Sequence, residues 1–290
     1  MVFLALVACS SDELTTEPLP PAVPLDPDVE SAWPATFPTA QAARFVAFGD
    51  SITRGYGVDN ASNTYTELLL HNNDAKWPDF AGDDLTARYG ELEVFDVSRD
   101  GATAPTVISG QLPQLEAMLG PSVSGPTIVV GTVGGNDTLD AIFSGDLDAA
   151  TDAFMDDLQV ITDFFLDPVR FPDGAFLAIA NVYDPTDTTG QVDECFFGVD
   201  LSALQDDFDR FNERTREAAD RDGWAWVDLH GHFVGHGFRY DEEGFWTDAD
   251  DPTLWFQGDC IHPNVRGHHE VRRLFLSALD GQPLPLLIPE

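Results

Sequence analysis

Lysine is all but missing from this chain: Lys76 is the only one, and Lys and Arg together number 14 against 51 Asp and Glu, for a formal net charge of -37. So negative a surface repels phosphate backbones and anionic headgroups, which excludes nucleic acid as a partner. The acidity reads as a device for solubility, with adaptation to salt as a second reason. Long apolar runs are missing too. Met1 to Cys9 is apolar up to its cysteine but far shorter than the roughly 20 residues a bilayer span needs. No internal repeat is present. What remains, 290 residues at 43% hydrophobic content, is enough to bury one sizeable core, and nothing in the length calls for a second catalytic domain.

Cysteine is scarce, and its placement is informative. Leu6-Val7-Ala8-Cys9 resembles the bacterial lipobox, in which small residues precede a cysteine that is acylated and becomes the new N-terminus. No Lys or Arg precedes this run. On this reading residues 1–9 are the end of a lipoprotein signal, and the protein is expected outside the cytoplasm, touching the membrane only through lipidated Cys9. Residues 10–43 carry seven prolines, Pro18, Pro20, Pro21, Pro24, Pro27, Pro34 and Pro38, with no hydrophobic period. They read as a disordered, polyproline-stiffened tether. In an oxidising compartment Cys195 and Cys260 are the remaining pair, and a disulfide between them is the leading expectation, two buried thiols the alternative.

From Arg44 onward, short apolar runs rich in β-branched and aromatic residues alternate with longer segments of helical period, the pattern of a parallel sheet covered on both faces. The expected strands are Phe45 to Phe48, Leu92 to Val97, Thr127 to Val133, Ala175 to Val182 and Trp224 to Leu229. Helices are expected at Tyr65 to His71, Thr106 to Leu119, Leu147 to Leu166, Leu201 to Ala219 and Val265 to Leu279. Pro113 should start or kink the second of these, since its ring cannot sit in a helix interior.

In such folds reactive groups gather at the carboxyl ends of strands. Four loops in those positions stand out. Gly49-Asp50-Ser51 follows the first strand, where a serine presents its hydroxyl beside its own N–H; a serine capping a helix would look the same. Ser98-Arg99-Asp100-Gly101 follows the second, and Gly101 leaves its N–H open to close approach, though alone this is an ordinary turn. Gly134-Gly135-Asn136-Asp137 follows the third; the Asn136 amide is a neutral donor at any working pH, or else merely the side chain of an Asx turn. Asp259-Cys260-Ile261-His262-Pro263 precedes the last helix, placing an acid where it can accept the histidine's Nδ1–H and leave Nε2 facing a hydroxyl. Pro263 is expected to start that helix.

Taken in order, these segments are similar to blocks I, II, III and V of the SGNH (GDSL-type) hydrolases, named for the Ser, Gly, Asn and His of those blocks. The resemblance spans roughly Arg44 to Leu279. The second block departs from the family pattern, with Ser98-Arg99-Asp100 where an Asn often precedes the Gly. The resemblance implies an α/β fold, a three-layer α/β/α sandwich of about five parallel strands in flavodoxin-like order, over a hydrolase domain at residues 44–290. It implies that Ser51 attacks an ester carbonyl, that His262 takes and returns the proton, and that Asp259 orients the imidazole. The Ser51 and Gly101 N–H groups and the Asn136 amide would form the oxyanion hole. No metal or cofactor is required. No G-x-S-x-G elbow is present, which argues against the other common hydrolase fold.

Other constellations carry less. His230, His232 and His236 could ligate zinc, but intervening glycines spoil a rigid geometry, and histidines on a polar active-site rim are the preferred expectation. The acids of Asp241 to Asp251, among them Asp248, Asp250 and Asp251, lack the spacing of a calcium loop and read as a solvated segment. Of Phe233, Phe238, Tyr240, Phe245, Trp246, Trp255 and Phe256, most are expected in core or lid packing and two against substrate. The leading function is an extracytoplasmic carboxylic ester hydrolase, esterase or lipase-like, on a small-molecule or glycan ester. A carbohydrate O-deacetylase of the same mechanism, a non-catalytic lipid-anchored binding protein and a purely structural lipoprotein are the competitors.

Overall fold

A computed structural model describes residues 42–145, 147–191 and 199–281. The lipobox with Cys9, nearly all of the proline-rich tether, and Cys195 lie outside the described residues. Five strands form one sheet: β1 (Arg44–Gly49), β2 (Glu93–Asp96), β3 (Thr127–Thr132), β4 (Ala175–Ala180) and β5 (Ala225–Val227). Their order is β2-β1-β3-β4-β5 and every neighbouring pair is parallel, the flavodoxin-like order the resemblance implies. All five expected strands are found: β1 runs one residue further at each end than expected, and the other four are shorter by one or two residues at one or both ends.

Alternation along the central strands sends side chains to two cores. Phe45 and Ala47 of β1 join Ile128 and Val130 of β3 on one face, while Val46 and Phe48 join Val129 and Leu177 on the other. The first face is covered by α2 (Tyr65–Leu70), α3 (Leu85–Tyr89) and α10 (Val265–Leu279), which contribute Tyr65, Leu69, Leu85, Val271 and Phe275. The second is covered by α5 (Leu112–Leu119), α7 (Leu147–Leu166) and α8 (Gln205–Asp222), through Leu115, Phe154, Leu158, Phe165 and Phe211. Helix α7 shows why the periodicity was readable: Leu147, Thr151, Phe154, Leu158, Ile161 and Phe165 are its buried stripe, three and four residues apart. Among the described residues, no helix is long and apolar enough to cross a membrane.

Several short elements escape the sequence pattern. Helices α1 (Ser51–Arg54), α4 (Ala104–Thr106), α6 (Gly135–Ser144) and α9 (Leu229–Phe233) all start at the carboxyl end of a strand or in the loop that follows one. The expected helix from Thr106 to Leu119 is α4, a π-helical turn over Val107–Gln111, and α5 with Pro113 in its first turn. The wider turn accommodates a proline that offers no N–H. Pro263 does not start α10; it pairs in an antiparallel bridge with Phe256, and Asn264 caps the helix by accepting the Gly267 N–H at 3.0 Å. Buried Glu270 ties α10 to its surroundings through His232 at 2.9 Å, Arg273 at 2.8 Å and Arg266 at 3.1 Å. Burial pushes its carboxyl up, but those three partners outweigh burial and hold it well below the usual carboxylate range.

Gly49 ends β1 at φ +112°, where a Cβ would lie 1.9 Å from the Thr132 carbonyl oxygen. No side chain fits, and the obstruction is backbone. Gly49→Ala is expected to destabilise the fold by about 3 kcal/mol or more, read as a lowered midpoint in urea denaturation; an unchanged midpoint contradicts the account.

Candidate active site

Asp50, the N-cap of α1, turns the chain out of β1: its Oδ1 accepts the Ile52 N–H at 2.9 Å and the Thr132 hydroxyl at 2.6 Å. Ser51 is thereby the first helical residue, and its N–H has no acceptor inside the helix. Beneath it, Thr53 and Thr132 exchange hydrogen bonds, and the Thr53 hydroxyl meets the Tyr65 hydroxyl at 2.7 Å. Asp50 is almost fully buried. Desolvation lifts its carboxyl to about 6, against the pull of Thr132 and Ile52 in the other direction.

The fourth loop reaches Ser51 from a distant part of the chain. The Ser51 hydroxyl donates to His262 Nε2 at 2.8 Å, and His262 Nδ1–H donates to Asp259 Oδ2 at 2.7 Å. Asp259 Oδ1 accepts the backbone N–H of Ile261 at 3.1 Å and of His262 at 3.0 Å. Burial acts to raise the Asp259 carboxyl, but the His262 ring and the two N–H groups outweigh it and leave it below its ordinary value. The three expected catalytic side chains thus form one continuous line. Tyr56 lies over the His262 ring, with centroids 4.5 Å apart. Cys260, at φ +66°, is buried between the acid and the histidine; its expected partner Cys195 is outside the described residues.

Asn136 lines the same cleft as Ser51. One N–H of its amide donates to the Ala102 carbonyl at 2.9 Å, and the other remains for a ligand. Asp137 accepts the Ala104 N–H with both oxygens, at 3.0 and 3.2 Å, so the third loop is fastened to the second at two points. Gly101, at φ +71°, is exposed one residue before that fastening and does not line the cleft wall. It is the one expected site residue not brought against the others, although Arg99 N–H donates to the Gly49 carbonyl at 3.0 Å and holds the loop's start beside Ser51.

Three buried or half-buried carboxamide and phenol groups, not anticipated from the sequence, fix these loops. Gln111 pairs with Gly49 in both directions, accepting its N–H at 2.7 Å and donating to its carbonyl at 2.8 Å, as a neighbouring strand would. Gln257 Nε2 donates to Tyr56 O at 2.9 Å and Pro263 O at 2.8 Å, joining the serine and histidine segments. The Tyr183 hydroxyl donates to the Ile261 carbonyl at 2.5 Å. Only Gln111 left a trace: it lies four residues from Val107 and four from Leu115, a polar group on an otherwise buried stripe.

The remaining histidines are not on the rim of the cleft. His230 faces Asp209 at 3.4 Å, His232 binds Glu270, and His236 stacks on Trp255 with centroids 3.4 Å apart. They diverge because α9, capped by Asp228, turns the chain away after β5. Among the described residues no group of three or more His, Cys, Asp or Glu could hold a metal. The acidic loop is a hydrogen-bonded turn, with Asp248 accepting the Asp250 and Asp251 N–H groups and Asp251 paired with Arg266 at 2.9 Å. None of the seven aromatic residues ahead of His262 lines the cleft; Phe233, Trp255 and Phe256 pack in the core, and Phe245 is exposed. The cleft, a solvent-open space of about 950 Å³, is walled by Leu139, Ile142, Leu147, Leu201, Leu204 and Phe208.

A serine hydroxyl aimed at an imidazole that is itself held by a carboxylate, at the carboxyl edge of a doubly wound parallel sheet, is an arrangement suited to nucleophilic attack by the serine. The chain belongs to the GDSL-like lipase/acylhydrolase family, whose profile matches residues 47–270, and it is an ester hydrolase. Solved structures share the fold. The extracellular lipase of Streptomyces rimosus aligns at a TM-score of 0.50 and 18% identity, covering 83% of this chain and 100% of its own. Phospholipase A1 of Streptomyces albidoflavus gives 0.51 and 17%, with the same coverage of 83% and 100%. A variant of an acetyl-xylooligosaccharide esterase from Geobacillus stearothermophilus gives 0.51 and 15%, covering 83% and 96%. No curated protein sequence matches the chain significantly.

Gln111→Ala leaves the Gly49 N–H buried without a partner, at a cost of about 2 kcal/mol, and loosens the turn that aims Ser51. The expected kinetic result is a fall in kcat of roughly 10- to 100-fold with KM little changed; a wild-type kcat contradicts it. Asp50 supplies a pH test. Because folding raises its pKa, its protonated form contributes stability below about 4 that is lost as pH rises through about 6. Asp50→Asn keeps an acceptor for Ile52 and Thr132 and removes the titration. Relative to wild type it is expected to gain on the order of 3 kcal/mol between pH 4 and pH 7, measured by denaturation at each pH; a constant difference rules this out.

Proposed function

We propose that the protein is a carboxylic ester hydrolase working through an acyl-enzyme, with Ser51 as nucleophile, His262 as base and then acid, and Asp259 as the group that orients the imidazole. The observation that carries this reading is the unbroken line Ser51 Oγ, His262 Nε2, His262 Nδ1, Asp259 Oδ2, with spacings of 2.8 and 2.7 Å. The Ser51 hydroxyl gives its proton to Nε2 as its oxygen bonds to the ester carbon; the imidazolium that forms is stabilised by the Asp259 carboxylate. That proton then passes to the leaving alcohol oxygen. Water, deprotonated by the same nitrogen, releases the acid and restores the serine. The oxyanion of each tetrahedral intermediate is received by the Ser51 N–H and the second N–H of Asn136; Gly101, not brought against them, is left out of this set.

The apolar wall of the cleft favours an acyl group of several carbons over acetyl, and so an esterase or lipase-like activity over carbohydrate deacetylation. We place the activity outside the cytoplasm, on a chain tethered through acylated Cys9; the support is the Leu6-Val7-Ala8-Cys9 sequence and the proline-rich stretch after it.

The test is hydrolysis of p-nitrophenyl acetate, butyrate and decanoate. Ser51→Ala and His262→Ala are each expected to reduce kcat by on the order of 10⁴-fold or more, and Asn136→Ala by about 10²- to 10³-fold. Butyrate and decanoate are expected to exceed acetate in kcat/KM. Turnover that survives Ser51→Ala refutes the assignment, and an inert wild type favours the binding-protein reading.

A further inference from the structure

The wall of the cleft contains two oxygens that its apolar character does not explain. Asp184, in the loop after β4, lines the cleft and is 6% exposed. Its Oδ1 accepts the Thr186 N–H at 2.8 Å, while Oδ2 is buried with no hydrogen-bond partner among the described residues. Gln205, the first residue of α8, lines the same cleft, and its buried Oε1 also has no partner among the described residues. Both are acceptors. A carboxylate oxygen and an amide oxygen left without donors inside an apolar wall are costly, and a substrate that brings the donors relieves that cost only when it binds.

The geometry points to an amine subsite: the cleft beside Ser51 takes an ester that carries a protonated amine on an aliphatic limb, the methylenes lying along Leu139, Ile142, Leu204 and Phe208 and the ammonium meeting Asp184 and Gln205. This rests on the ester-hydrolase reading and narrows its substrate class. A hydroxyl has one hydrogen to give, whereas an ammonium has three and can serve both oxygens. Its charge also cancels that of Asp184. Phe208, in the cleft wall, is an aromatic ring of the kind that attracts a cation. A net charge of -37 draws cationic esters toward the protein and repels fatty-acid anions, the products of ordinary lipolysis.

The test separates binding from turnover. Calorimetric titration of the full-length Ser51→Ala protein with hexylammonium and with 1-hexanol is expected to show the ammonium bound at least 10-fold more tightly. Adding Asp184→Asn, which retains an acceptor for the Thr186 N–H and hence the turn, is expected to remove that advantage while hexanol binding moves less than threefold. Gln205→Leu, at the half-buried start of a helix, should weaken hexylammonium alone. Equal affinity for the two probes, or an ammonium preference that survives both substitutions, overturns the inference. In the wild type, kcat/KM for ethyl 6-aminohexanoate should exceed that for ethyl hexanoate at least 10-fold, and the reverse order also overturns it. Failure to hydrolyse any ester would refute the hydrolase reading alone, since the titrations still decide whether the amine subsite exists.

Discussion

The position of the Ser51 hydroxyl depends on the exit from β1, and that exit depends on a peptide unit that only glycine can occupy. Gly49 passes so close to the Thr132 carbonyl that its missing side chain is the condition for β1 and β3 to lie side by side to their ends. The same residue is held at three points, by Gln111 at both its N–H and its carbonyl, and by the Arg99 N–H at the carbonyl. Asp50 then starts α1, and the serine emerges with its N–H free and its oxygen directed at His262. The hydrogen bond between residues 211 positions apart is the result of this local confinement; nothing in the long intervening chain has to be tuned for it, provided the histidine loop is equally fixed.

That loop is fixed by different means. Tyr183 reaches from the end of β4 to the Ile261 carbonyl, Gln257 joins it to Tyr56, and Asn264 caps α10 immediately behind it. Helix α10 is in turn held by buried Glu270, whose burial is offset by three partners. Removing one of those partners would leave a charge in the core. The site therefore joins a strand end to a helix start, each fastened by its own hydrogen bonds.

The sheet was legible in the sequence because strands buried on both faces read as unbroken apolar runs, and α7 because its stripe recurs at three and four residues. The catalytic loops were legible because their residue types are unusual where they stand. The elements missed share a cause. Gly134 and Gly135 look like a turn, since glycine weakens helices, yet Gly134 at φ +110° caps α6 and tertiary packing overrides propensity. The histidines after β5 were placed on the rim by their order in the chain, but Asp228 starts a helix that carries them elsewhere. The aromatic residues ahead of His262 are near it in sequence, but Phe233, Trp255 and Phe256 pack into the core, while much of the cleft wall comes from α6, α7 and α8. Gln257 and Tyr183 act on backbone carbonyls, and a backbone partner leaves no mark in the identity of either residue; Gln111, which also acts on backbone, left a trace only by standing as a polar residue on an apolar stripe.

Asn212, on α8, repeats the Gln111 arrangement on the other side of the site: it accepts the Val182 N–H at 3.0 Å and donates to the Val182 carbonyl at 2.8 Å. The two amides prolong β1 and β4 by one rung without another strand. Both are neutral dipoles. The exposed Arg–Asp pairs on α8 weaken as dissolved ions screen them, but these rungs hold no net charge to screen. In concentrated brine the protein can lose much of its surface attraction while the catalytic edge of the sheet keeps its shape.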